Sequence, residues 1–279
     1  MNLRDVLRRA DRAASGFDSA DFVHAKTREG LIDRLRPITV DARTVVDLGA
    51  ATGAATRILG RRFSGARVVS VDLSRRMLAA ARKKRRRFSR DGCVQADARS
   101  LPFANDSVDV LFANLLLPWI AEPEALFSEA ARVLRREGLI AFSTLGPDSL
   151  AELRAAWRAV DGHEHVNPFP DMHDLGDAAL RAGLRDPVLD VDRLAVTYDS
   201  PAALFRDLTA VGARNTLRQR QRSLTGTGRF AAMLDALESA RRGGSLRFEL
   251  ELVYGHGFGT GTAADGVRIG PAQIGHRRR

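Results

Sequence analysis

The chain has 279 residues, 44% hydrophobic and 28% charged, which excludes wholesale disorder and suits one elaborated domain or a core with a lid. A single cysteine, Cys93, excludes an internal disulfide framework and a Cys-rich zinc site, and the longest apolar run, 111–121, is broken by Asn114 and Pro118 and too short to span a bilayer. The net charge of +10 comes from 44 basic against 34 acidic residues, 41 of the basic ones arginine; it reads either as attraction to an acidic partner or as compositional bias.

In chain order, residues 3–14 and 20–36 carry helical periodicity, and the first 18 residues lack the apolar core of a secretory signal, so a cytoplasmic protein is expected. TVVDLG (44–49) is a short β-branched strand, followed by a helix from Ala54 to Arg62. RVVSVD (67–72) is a second strand, and Ser74 is placed to cap a helix through about Arg86. GCVQAD, SVDVLFAN and GLIAFSTLG read as further buried strands, with a helix over 123–135 between the last two. Strands alternating with crossover helices predict an α/β fold with a doubly wound, mostly parallel sheet.

The rhythm changes after residue 145. A helix over 147–158 leads into the loop HEHVNPFPDMHD (163–174), then a helix to about Gly183. VLDVDRLAVTY (188–198) and LRFELELVYGHGF (246–258) alternate polar and apolar residues, as antiparallel strands with one wet face do. The expected organisation is a helical cap at 1–36, an α/β core at 37–198, a helical lid at 199–245, a last core strand at 246–258 and a flexible basic tail at 259–279.

The informative motif is DLGAATG, Asp47 to Gly53, at a strand end and before a helix. Glycines there let the backbone turn sharply and approach a ligand, and the helix start offers free N–H groups. Gly49, Ala51 and Ala54 match a dinucleotide G-x-G-x-x-G poorly. The spacing of Gly49, Ala51 and Gly53, with Asp47 two places earlier, resembles the first motif of S-adenosylmethionine (SAM) methyltransferases, Ala51 replacing the usual middle glycine. Asp72 ends the second strand, placed for the ribose hydroxyls, with Leu73 beside the adenine face. Asp97 and Ala98 end the third strand near the adenine edge, and Asn114 ends the fourth at the methyl-donor pocket. Each could alone be a solvated strand end; together they predict a SAM site.

The segments ADARSLPFANDSVDVLFAN, LPW (117–119), ARVLRREG (131–138), FSTLGPDSLAELRAAW (142–157), HVNPFPDMHDLGDAALRAG (165–183), DRLAVTY (192–198), RDLTAVGARN (206–215), LTG (224–226) and VYGHGF (253–258) resemble the malonyl-acyl-carrier-protein O-methyltransferases of biotin synthesis. The resemblance runs from about residue 5 to 258 and implies a seven-stranded Rossmann-like sheet of the class I methyltransferases. Phe17 stands where that family usually has a tyrosine, Pro118 replaces a Gln or His, and REG replaces a Pro-Gly-Gly turn. The implied reaction is attack of a malonyl thioester's free carboxylate on the SAM methyl, which needs neither a general base nor a metal. The implied partner is an acidic acyl-carrier protein, with no membrane or nucleic acid and a monomeric chain.

A carboxylate acceptor suggests a cationic clamp, for which Arg154, Arg206 and Arg214 are candidates, and the resemblance implies that Phe17 closes the pocket. The loop RNTLRQRQR (214–222) reads as a steering surface for the carrier or as a solvated loop. His163, His165 and His173 with Asp171 and Asp174 fit no closed zinc pattern, KKRRR (83–87) reads as a solvated helix end rather than a nucleic-acid patch, and Trp119 and Trp157 read as packing residues. Two other readings stay open: a SAM enzyme with an RNA or small-molecule acceptor, and a repurposed complex I assembly factor or hydroxylase-like protein.

Overall fold

The computed structural model describes residues 1–85, 91–217 and 226–261. Two helices open the chain, α1 (Leu3–Ala13) and α2 (Phe22–Arg34). The core then alternates β1 (Thr44–Leu48), α3 (Ala54–Arg62), β2 (Arg67–Asp72), α4 (Arg75–Lys83), β3 (Gly92–Gln95), β4 (Val108–Asn114), α5 (Pro123–Val133) and β5 (Leu134–Leu145). The remainder is α6 (Ala151–Arg158), α7 (Met172–Arg181), β6 (Arg185–Tyr198), α8 (Pro201–Ala210), α9 (Thr227–Ser239) and β7 (Leu246–Phe258). The seven strands form one sheet in the order β3-β2-β1-β4-β5-β7-β6. The first five run parallel, and β7 enters antiparallel between β5 and β6. No helix among the described residues is long and apolar enough to cross a membrane.

The strand period of two sorts the apolar residues cleanly. Val45, Val68, Val110, Phe112, Leu139 and Ala141 face Leu31 and Leu35 of α2 and Leu59 of α3. Val46, Val69, Leu111, Ala113, Ile140 and Phe142 face Leu126 and Phe127 of α5 and Leu175 of α7. A further core, with Leu153 and Trp157 of α6, Leu204 of α8 and Met233 and Leu237 of α9, packs on Leu246 and Phe248 at the start of β7. The motif VYGHGF owes one glycine to this packing. The Phe142 ring crosses β7 directly over Gly255, where a methyl group would overlap it.

Two element limits depart from the sequence reading by four residues, and smaller shifts occur where β3 ends at Gln95 and β6 starts at Arg185. The helix predicted over 147–158 starts only at Ala151, because residues 146–150 turn back onto β7: Ser149 Oγ donates to the Glu251 carbonyl at 3.1 Å and Leu150 N–H to that of Glu249 at 2.9 Å. The helix predicted over 123–135 stops at Val133, because Leu134 turns extended and pairs with Val108, starting β5 four residues early. Ser74 caps α4 as expected, its Oγ accepting from Met77 N–H at 3.1 Å, and α4 ends at Lys83. Arg86 and Arg87 of the KKRRR run, residues 218–222 of the Arg-rich loop, 224–225 of the LTG motif and 262–279 of the tail lie outside the described residues.

Candidate functional site

Two cavities meet above the carboxyl ends of the parallel strands, the position at which open α/β sheets bind ligands. The smaller lies over β1, β2, β3 and β4, roofed by Leu3, Val6 and Ala10 of α1. Gly49, Ala51, Asp72, Leu73, Asp97, Ala98 and Asn114 all line it, as does Phe17 from the short 3-10 turn Phe17–Ser19. Gly49 and Gly53 have φ of +73° and +78°, so the turn after β1 uses the glycine conformations that its spacing suggested. A methyl at Gly49 would press on the Leu116 side chain at 3.0 Å. Gly53 caps α3 outside the cavity wall, close against Ala81.

Asp72 is the hub of this cavity. Its Oδ2 accepts from the Ala51 N–H at 2.9 Å and its Oδ1 from the Ser74 N–H at 2.7 Å, leaving a second lone pair on each oxygen. Burial pushes its pKa up to about 6 against the pull of those two bonds. The carboxylate of Asp97 is instead held down by the Arg99 fork, at 3.0 Å to Oδ1 and 2.7 Å to Oδ2. Ala51 and Leu115, both in the wall, have φ of +46° and +52°, strain that a non-glycine residue keeps only when its surroundings impose it.

Asp47 lies beneath the cavity rather than in its wall. On β1 it alternates with Val46 and Leu48, so it points to the α3 side and accepts from Thr56 Oγ1 at 2.5 Å, while Thr56 Oγ1 also meets Ser70 Oγ at 2.8 Å. Burial raises its pKa to about 6. The geometry makes it a tie between β1 and α3.

The larger cavity has a volume of about 560 Å³ and is mostly apolar, walled by α6, α8, α9 and the ends of β5, β6 and β7. Of the three arginines expected as a clamp, Arg214 alone lines it, its Nε and Nη2 on Thr209 Oγ1 at 3.0 and 2.6 Å. Arg154 is diverted because it sits one turn above the 146–150 turn: its Nη2 donates to the carbonyls of Pro147 and Ser149 at 2.6 and 2.5 Å, and its Nη1 to that of Asn167 at 3.3 Å. Arg206 is exposed on α8, outside the wall. Arg9 of α1, which sequence reasoning missed, lines the cavity; its neighbours Arg4, Arg8 and Arg12 gave no means of telling it apart.

Trp157 is more than packing. It lines the larger cavity and stacks on His165 with ring centroids 3.7 Å apart and planes 8° apart, while His165 Nε2 lies 2.8 Å from Asp161 Oδ1. Asp171, by contrast, caps α7. Among the described residues no three His, Cys, Asp or Glu side chains group as metal ligands.

His24, Leu115, Trp119 and Val211 line both cavities and so mark their junction. The sequence reading passed over His24, although it shares the stripe of Thr27, Leu31 and Leu35 that α2 turns toward the sheet. Its ring meets Phe17 edge-on at 4.8 Å, and burial, with Arg28 nearby, pushes its pKa down to about 4. The Nδ1 atom is buried and has no hydrogen-bond partner among the described residues. Asn114 holds this part of α2 down: its Nδ2 donates to the His24 carbonyl at 3.0 Å and its Oδ1 accepts from Ser143 Oγ at 2.9 Å.

A family model described as a methyltransferase domain matches residues 46–142. The malonyl-acyl-carrier-protein O-methyltransferase of Methylovorus sp. (strain MP688) is 41% identical over 257 residues, 90% of this chain and 87% of that protein. The protein of the same name from Laribacter hongkongensis (strain HLHK9) is 41% identical over 254 residues, 88% of this chain and 86% of that one. Among solved structures, the YcgJ protein from Bacillus subtilis superposes with a TM-score of 0.60 at 16% identity, covering 84% of this chain and 98% of that one. Phosphoethanolamine N-methyltransferase 2 of Haemonchus contortus, in complex with phosphomonomethylethanolamine and S-adenosylhomocysteine, superposes with a TM-score of 0.58 at 17% identity, covering 93% and 60%. At such identities these two likenesses speak for the fold.

Proposed function

This chain belongs to the malonyl-acyl-carrier-protein O-methyltransferase family, and on that premise we propose that it transfers a methyl group from SAM to the free carboxylate of a malonyl thioester carried by an acyl-carrier protein. The observation that carries the reading is the junction: a cavity at the strand ends that holds the carboxylates of Asp72 and Asp97 opens, at His24, Leu115, Trp119 and Val211, into a larger apolar one.

The residues present fit SAM in the smaller cavity. The cradle of Gly49 and Ala51 admits a ligand close to the backbone, and the free lone pairs of Asp72 suit a pair of ribose hydroxyls. Leu73 and Ala98 would offer apolar contact to an adenine, and the Asp97 carboxylate is a polar group in the same wall for its edge. When bound, SAM supplies an electrophilic methyl on a sulfonium. Phe17 and the roof of α1 exclude water from that end.

The acceptor's carboxylate is ionised near neutral pH and is itself the nucleophile. One of its oxygens bonds to the methyl carbon as the methyl–sulfur bond breaks, the electron pair stays with sulfur, and no proton moves. Catalysis then rests on alignment and dryness. The apolar walls of the larger cavity, from Leu153, Trp157, Phe205 and Phe248, supply the dryness and leave room for the thioester arm. Arg9 and Arg214 set positive charge in that wall for an anionic acceptor.

The test is transfer of labelled methyl from SAM to malonyl-acyl-carrier protein, with acetyl-acyl-carrier protein as the control that lacks the free carboxylate. Label on the malonyl species alone is the expected result. Binding of SAM without transfer to malonyl-acyl-carrier protein refutes the acceptor assignment.

A further inference from the structure

We propose that His165 grips the arm on which the acceptor is carried: its Nδ1 takes a hydrogen bond from an amide N–H of a pantetheine-type thiol arm lying in the larger cavity. The inference deepens the reading of that cavity as the acceptor site and rests on it.

The ring is held from two sides. His165 Nε2 lies 2.8 Å from Asp161 Oδ1, and the imidazole stacks on Trp157 at 3.7 Å with planes 8° apart. Asp161 is fixed in turn, its Oδ1 accepting from the His163 N–H at 3.0 Å and its Oδ2 lying 4.0 Å from Arg229 Nη1. An ionised carboxylate can only accept, so in the neutral ring the proton belongs on Nε2 and Nδ1 carries a bare lone pair. The bond to Asp161 thereby makes the other edge of the ring an acceptor. The fold leaves that Nδ1 unbonded among the described residues but not sealed, in contrast to Nδ1 of His24, and the ring lines the larger cavity.

The remaining polar groups of this wall are engaged or of another kind. Asn167 and Asn215 spend their side-chain oxygens on the N–H groups of Thr216 and Leu217. Tyr198 is bonded to Asp207, and Glu164 is exposed to solvent. The indoles of Trp119 and Trp157 can only donate, and Arg9 and Arg214 are cations.

An acyl group on a carrier arrives on a thiol arm that contains amides. Each amide N–H gives up water on entering an apolar chamber, and one left without an acceptor there is costly. Leu153, Phe205, Phe230 and Phe248 offer no acceptor from their side chains. His165 also stands in a suitable place. It lines the larger cavity and not the shared wall, and Trp157 links it to Phe230, whose ring is 6.3 Å from the indole and 39% exposed. The His165 side is thus the side on which the chamber reaches solvent. A lone pair there repels a carboxylate and welcomes an N–H, so an arm bound this way sends its acid end inward, toward the junction.

The experiment compares three proteins. His165→Phe combined with Asp161→Asn keeps a ring on Trp157 and an oxygen for the His163 N–H, and removes the acceptor without stranding a buried charge. His165→Gln keeps a donor for Asp161 and an acceptor beside it. Each is assayed beside wild type on malonyl-pantetheine and on the pentyl thioester of malonate, which has no amide, with S-adenosylhomocysteine affinity taken by calorimetry. The double variant is expected to raise the KM for malonyl-pantetheine about 5- to 20-fold with kcat little changed, since the lost bond is remote from the reacting atoms. Its KM for the pentyl thioester is expected within about twofold of wild type, and H165Q within about threefold on both substrates. S-adenosylhomocysteine affinity stays the same in all three, because His165 does not line that cavity. A merely structural role lowers activity on both thioesters alike or weakens S-adenosylhomocysteine binding, and either result overturns the inference. So does an unchanged KM for malonyl-pantetheine in the double variant, or H165Q falling as far as the double variant. Wild type that methylates malonyl-acyl-carrier protein but treats the two small thioesters alike, or takes neither, refutes this inference alone. Wild type that binds S-adenosylhomocysteine and leaves malonyl-acyl-carrier protein unmethylated refutes the carboxyl-methyltransferase reading and this inference with it.

Discussion

Replacing Asp47 with asparagine should stabilise the protein, and only above mildly acidic pH. The carboxylate is 1% exposed under α3, with Thr56 Oγ1 as its close donor at 2.5 Å. Its pKa stands at about 6, against 3.8 as the ordinary value, with burial as the largest cause. The folded state thus binds this proton more tightly than the unfolded chain does. Stability falls as pH rises from about 4 to about 6 and then levels, the full cost being roughly 3 kcal/mol. Asparagine keeps an oxygen for Thr56 and carries no charge. An amide N–H without a good acceptor takes back about 1 kcal/mol, leaving a net gain of about 2 kcal/mol at pH 8. For a chain of this size that raises Tm by roughly 4 °C. Urea unfolding followed by circular dichroism between pH 4 and pH 8 measures the gap between the two proteins. The reasoning requires the gap to shrink toward acid. A gap that is constant with pH, or D47N less stable than wild type at pH 8, refutes it.

Asp72→Asn should weaken S-adenosylhomocysteine binding by at least about tenfold in calorimetry, through loss of charged acceptors for two hydroxyls. Because Asp72 titrates near 6, wild-type affinity should also decline as pH falls below that value. Unchanged affinity in D72N removes this residue from the site. Ala51→Gly relieves a residue at φ +46° and should raise Tm by about 1–2 °C, after the lost contact with Phe17 and Met77 is counted. A lowered Tm would show that the methyl contact outweighs the backbone strain. Gly255→Ala drives a methyl into the Phe142 ring and should cost more than about 2 kcal/mol in chemical denaturation. Wild-type stability in that variant would mean the ring is free to move aside.

The parallel half of the sheet was readable because its strands and helices are specified locally: α3 and β2 occupy the residues their patterns assigned, as does the antiparallel β7. The two limits misplaced by four residues, at Ala151 and Leu134, are both set by partners distant in the chain. No window of sequence around residue 150 contains Glu249 or Glu251. Asp72 and Asn114 end β2 and β4, and Asp97 lies two residues past the end of β3; their place in the cavity wall was legible because a strand end is itself a sequence signal. The direction of Asp47 was also legible in the alternation of Val45, Val46 and Leu48, but the motif drew attention away from it. The arginines are a different case. With 41 of them, periodicity cannot separate Arg9 in a wall from Arg206 in solvent or Arg154 on backbone carbonyls. His24 was concealed by its place on a helix face that otherwise reads as core.

The seating of α1 bears on how molecules come and go. This helix contributes Arg9 to one chamber and Leu3, Val6 and Ala10 to the other. Its ties to the rest include the Ser74–Asp11 side-chain bond at 2.6 Å and, at its start, Asn2 N–H on the Thr216 carbonyl at 2.9 Å. None of the sheet's hydrogen bonds passes through it. Lifting α1 therefore opens both chambers at once while the seven strands stay paired, at the small free energy of a local fluctuation rather than that of unfolding. Amide exchange in α1 should consequently be far faster than in β1 and β4, and a bound nucleoside that pins the helix should slow it.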